Sequence, residues 1–308
     1  MAENYVMKSL NEHVQTDRQL NIKSASSIAL KFDQLNEQPN ALINFNTGIL
    51  QWLGHQTGVL SSSTVIGTAD TLVLYTENRS SELYLTNRTA LRKKIQWTHG
   101  QINDITWSSI LSKFILLADY YVFTFDAEEN KIEEIKQISV NRGKIPLYSC
   151  TCSKETILLS YFGWGSIVDQ YKLSNGNWER VKQWKTPFTC NTNEWIGQIR
   201  FASSNDGHIG LTIADNNNNW RFELREYRTM EILHQVRLDE SSLTRCLVCL
   251  PHDEWLIVHK GTKTLEIIDK VGSTKKTVTY NSNITSAGLF DQNCLVISTY
   301  EKICFYNL

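Results

Sequence analysis

A chain of 308 residues whose 31 basic and 32 acidic side chains leave a formal charge of −1 carries no global field to draw it onto nucleic acid or an anionic membrane. No run reaches the ~18 apolar residues of a membrane span, and the start MAENYVMKSLNEH lacks the basic-then-apolar order of a secretory signal. Seven cysteines without framework spacing fit free thiols in a reducing, cytoplasmic compartment.

The apolar residues fall in short, β-branched or aromatic runs between polar turns, a pattern of strands and not of helices. In chain order the runs predict groups of four strands in a single domain spanning residues 1–308. The first group is 17–23, 27–32, 41–46 and 49–53, and the second is 60–66, 71–76, 82–87 and 93–97. The third begins after His99 with Ile102, Ile105 and Trp107, continues through 114–118 and 122–125, and ends with 131–138. The fourth is 147–152, 156–161, 167–173 and 178–184, with Ser174-Asn-Gly-Asn177 as a strong turn signal. The fifth is 196–202, 208–213, 220–227 and 230–236, and the sixth is 243–249, 254–259, 263–268 and 275–279. The seventh has only 284–290, 294–298 and 302–307, so Asn4 to Leu10 is expected to supply its missing outer strand and leave no bare edge.

The ends of the third strands recur at Phe45, Thr86, Phe125, Tyr171, Arg225, Ile268 and Tyr306, a period averaging about 43.5 residues against the ~40–45 of one propeller class. With Gly54-His55 ahead of a first strand, His13 and His99 at the same place, and Asp119 in a turn, the chain resembles the WD-repeat β-propeller family. No third strand ends in the Trp-Asp of that family. The resemblance implies an all-β, seven-bladed propeller of four-stranded antiparallel blades closed by an N-terminal strand in the last blade. It also implies a non-catalytic scaffold for protein–protein interaction. The histidines are expected to hydrogen-bond at the blade entrances, and Trp107 to be buried between blades.

Cys150-x-Cys152 and Cys246-x-x-Cys249 lie inside apolar runs without a second pair at ligand distance, so no metal, cofactor or catalytic residue is assigned. The first strands of the blades offer Asp17, Asp104 and Arg200 toward a central channel, fewer groups than a propeller hydrolase needs. The cluster Arg88, Arg92, Lys93, Lys94 raises RNA binding as another alternative, at the opposite end of the blades from the aromatics. The two longest repeat intervals flank the fourth and fifth blades, where exposed aromatics rimmed by cations make a binding hot spot. The expected partner-binding residues are Arg142, Lys144, Phe162, Trp164, Phe188 and Trp195. A protein or peptide is the expected partner, nucleic acid is not, and the chain is read as a monomer or a subunit of a larger complex. Trp164 and Trp195 could instead fold back as a lid.

Overall fold

Phe114-Ile-Leu-Leu-Ala118 is apolar at every position and wholly buried, which a strand achieves only when both of its faces are covered. Its alternate residues go to different cores. Phe114, Leu116 and Ala118 pack toward the sheet before it, and Ile115 and Leu117 toward the sheet after it. The same division recurs at Ile157 and Leu159 against Leu158, and this two-sided burial stacks the sheets around an axis.

The structure, a computed structural model, describes residues 65–69, 71–76, 82–87, 93–138, 145–203, 207–238, 245–272, 275–290, 294–301 and 303–307. Five antiparallel sheets follow in chain order. The first holds β1 (Ile66–Thr68), β2 (Val73–Thr76), β3 (Glu82–Thr86) and β4 (Lys93–Gln96). The second holds β5 (Ile102–Ser108), β6 (Lys113–Ala118), β7 (Tyr121–Asp126) and β8 (Lys131–Glu134). The third holds β9 (Leu147–Ser153), β10 (Thr156–Tyr161), β11 (Val168–Ser174) and β12 (Asn177–Trp184). The fourth holds β13 (Glu194–Phe201), β14 (His208–Asp215), β15 (Trp220–Glu226) and β16 (Ile232–Arg237). The fifth has six strands: β17 (Arg245–Cys249), β18 (Trp255–His259), β19 (Thr262–Ile268), β20 (Lys275–Phe290), β21 (Cys294–Thr299) and β22 (Ile303–Asn307).

The all-β propeller arrangement of four-stranded meanders is as expected, but the count is not. There are five sheets among the described residues and not seven blades. The groups read as sixth and seventh are one sheet because β20 runs unbroken for 16 residues. It pairs with β19 through Lys275–Thr279 and with β21 through Ile284–Phe290. The intervening Tyr-Asn-Ser-Asn reads as a turn by composition, yet it holds no Gly or Pro to break an extended backbone. Tyr280 within it is buried, its ring edge-on to Tyr306. The expected first blade, the closing strand from Asn4 to Leu10, His13 and His55 all lie outside the described residues.

The innermost strands β1, β5, β9, β13, β17 and the second half of β20 succeed one another around a channel, and β20 returns to β1. That seam is close. A Cβ on Gly288 would lie 2.6 Å from Thr68 Cγ2, and the cores of the first and last sheets merge through Ile66, Val73, Tyr75, Phe290 and Val296.

Candidate functional site

Inner strands begin at one mouth of the channel and end at the other. At the starting mouth, the β10–β11 turn and the connection from β12 to β13 carry the aromatics singled out from the sequence. The turn is pinned at several points. Phe162 N–H donates to Pro146 C=O at 2.9 Å, and Gly165 N–H to Glu194 C=O at 2.7 Å. Ser166 Oγ–H donates to Gly163 C=O at 2.8 Å and accepts from Ile196 N–H at 3.0 Å. Gly163 and Gly165 have φ of 119° and 66°, a backbone region that favours glycine. The aromatic side chains on this face project from that pinned backbone. Phe162 is 49%, Trp164 59% and Phe188 65% exposed.

Trp195 is different. Its ring is half-buried and sits edge-on to Trp220 at 5.2 Å, Tyr148 at 5.5 Å and Phe162 at 5.9 Å. It therefore packs between sheets and supports Phe162 from below. Arg142 and Lys144 lie outside the described residues, whereas Ile145, which follows them, is 38% exposed beside this face.

The long connection is held by a row of buried charge that the sequence reading missed. Arg221, Glu223 and Arg225 alternate along one face of β15. Arg221 donates to Glu194 Oε1 at 2.7 Å and Oε2 at 2.9 Å, and its Nε to Glu223 Oε1 at 2.6 Å. Arg225 donates to Glu223 Oε2 and, through Nη1, to the Phe188 carbonyl at 2.5 Å. Burial alone would raise the Glu194 pKa, but the Arg221 fork outweighs it and holds the carboxyl below its ordinary value. The legible signal was Arg221, Glu223 and Arg225 at period two, alternating with the apolar Trp220, Phe222 and Leu224.

At the channel wall, Asp104 is buried and binds three inner strands together. Its Oδ2 accepts from Ser149 Oγ–H at 2.6 Å, Cys150 N–H at 2.9 Å and Arg200 Nη1–H at 2.7 Å, and its Oδ1 from Arg200 Nη2–H at 2.7 Å. Asp104 and Arg200, read from the sequence as isolated channel groups, are thus brought together in one ion pair. The ending mouth beyond it opens into a basin of about 450 Å³, lined from all six inner strands. Trp107 lines this basin, half-buried and edge-on to Phe114 at 4.9 Å. It was expected buried between blades; it does pack against the core shared by the first and second sheets, but at the end of an inner strand its outer edge stays open to the basin and it is only half-buried. His99 also departs from expectation. Its exposed ring lies against Phe123 and Trp97, and it is Trp97 Nε1–H that donates, to Gly100 C=O at 2.6 Å.

All seven cysteines are free thiols. Burial pushes Cys152 up to about 11 and Cys249 up to about 12, so both stay protonated at neutral pH and are poor nucleophiles. No group of three or more His, Cys, Asp or Glu able to hold a metal occurs among the described residues. No helix among them is long and apolar enough to cross a membrane.

No protein-family model and no curated protein sequence matches the chain. Solved structures do. A chain of a mitotic checkpoint complex is similar with a TM-score of 0.56 and 12% identity, over 80% of this chain and 87% of that one. A streptogramin B lyase is similar at 0.55 and 11%, over 80% and 94%. Virginiamycin B lyase from Staphylococcus aureus is similar at 0.55 and 10%, over 80% and 96%. At such identities the likeness is one of fold, a β-propeller, and the function has to be argued from the site.

Proposed function

We propose that this propeller is a non-catalytic, WD-repeat-type interaction module that binds a protein or peptide on the loop face above the third and fourth sheets. The observation that carries the reading is the combination of large exposed aromatics with a backbone that cannot relax around them. Phe162, Trp164 and Phe188 are each about half exposed or more, while their loops are tied to Pro146, Glu194 and Arg225. Rigid aromatic anchors lose little entropy on binding and dominate interface energetics. Among the described residues, the carboxylate expected at the channel is Asp104, and its engagement by Arg200, Ser149 and Cys150 argues against its use in acid–base chemistry; Asp17 lies outside the described residues. The free thiols support a reducing compartment such as the cytoplasm.

Peptides selected from a display library on the intact protein provide the test. Trp164→Ala and Phe188→Ala are each expected to weaken the selected peptides by at least ~2 kcal/mol, roughly 30-fold, at an unchanged melting temperature. Trp195→Ala is expected to lower the melting temperature instead, because it removes a ring packed between sheets. Selected peptides indifferent to both exposed-site variants would overturn the assignment.

A further inference from the structure

The ending mouth of the channel is independent of the loop face, and its lining has a consistent chemistry. None of the described residues lining the basin is Asp or Glu, whereas Lys154 and Arg200 both are part of it. Hydroxyls ring it at Thr68, Thr106, Thr151 and Ser153, and the half-buried rings of Trp107 and Phe201 supply apolar walls.

Its floor is a cation with capacity to spare. Arg200 Nη1 donates to Asp104, Ser149, Cys150 C=O and Ile199 C=O, and Nη2 to Asp104. The guanidinium has five N–H groups, so Nε–H and one Nη2–H are left without an acceptor among the described residues. Asp104 offsets one positive charge and Lys154 is exposed at the rim. Of the neighbouring carboxylates, Glu155 lies 3.8 Å from Lys172, and Asp253, which accepts from Ser203 at 2.8 Å, sits outside the lining.

We infer that this basin is a binding site for a small organic carboxylate with an apolar or aromatic body, its charge met by Lys154 and Arg200 and its body held between Trp107 and Phe201. The volume suits such a ligand, since small-molecule sites fall at ~300–1,000 Å³. A charge-assisted hydrogen bond in a partly desolvated site supplies the selectivity for the anion over its neutral analogue.

The test uses the full chain labelled with 5-fluorotryptophan, the Trp107 resonance being assigned through Trp107→Phe. Titration with 4-phenylbutyrate is expected to shift that resonance saturably. The isosteric 4-phenylbutanamide is expected to bind at least ~10-fold more weakly. Lys154→Gln, an exposed position that should leave the fold intact, is expected to weaken the carboxylate about 5-fold or more and leave the amide unchanged. The inference is overturned by no saturable shift with the carboxylate, by equal binding of the amide, by indifference to Lys154→Gln, or by inorganic phosphate acting as strongly as 4-phenylbutyrate.

Discussion

Glu194 does two jobs with one carboxyl. It receives the Arg221 fork and accepts from Asn191 N–H at 2.9 Å, so it closes the long connection onto the first strand of its own sheet. Because these partners hold its folded-state pKa below the ordinary value of 4.5, its contribution to stability is full above that value. It is lost as pH falls through the folded one. Glu194→Gln is therefore expected to melt below wild type at pH 7, with the gap narrowing as the pH drops toward 3. A gap constant across a series of melts would show that the charge plays no part. None of this pairing was legible in the sequence, because Glu194 and Arg221 come together only through the register of β13 and β15 on β14. Exposure of Trp164 was legible, since glycines flank it on both sides and leave it no strand partner. The half-burial of Trp195 was not, because it depends on Trp220 from a strand two removed in the same sheet.

Strands of the fourth sheet show how one element is shaped to receive the next. Gly210 on β14 faces the fifth sheet, and a Cβ there would lie 2.6 Å from Trp255 Cζ3 and 2.8 Å from Phe222 Cε2. Trp255 and Phe222 are fully buried and 5.4 Å apart. The missing side chain is thus the space that two rings occupy. Rigid rings in a packed seam cannot step aside as a lysine would, so Gly210→Ala is expected to cost about 1–3 kcal/mol. The measurement is a urea titration in which the midpoint falls at constant slope, and an unchanged midpoint would refute the packing. Elements were the most legible level: β6, β7, β10 and β15 lie within a residue or two of where alternation and turn residues put them. The error that changed the sheet count was polarity mistaken for a break, at residues 280–283 in the middle of β20, whereas the strand expected over 131–138 ends early, at Glu134.

The ring as a whole was legible in its period and not in its blade count, and the closing strand expected from Asn4 to Leu10 lies outside the described residues. A repeat spacing reports how many strands each unit needs, but which unit meets the last one is decided by inter-sheet packing between residues hundreds of positions apart. The seam predicts a cross-link. A Cβ on Gly288 would stand 3.5 Å from the Thr68 Cβ, at the short end of disulfide geometry. Thr68→Cys with Gly288→Cys is expected to form a disulfide under mild oxidation and shift the mobility of the denatured chain on a non-reducing gel, with the wild type and both single variants as controls. A double variant that runs like the wild type would refute the seam. The same seam bears on time as well as shape. Every other neighbouring pair of sheets can meet soon after its strands pair, whereas residues 68 and 288 must find each other across most of the chain, a search whose entropy is recovered only when the whole ring is in place. Closure is therefore expected to be a slow, late step of folding, the described sheets forming an arc that this one long-range contact completes.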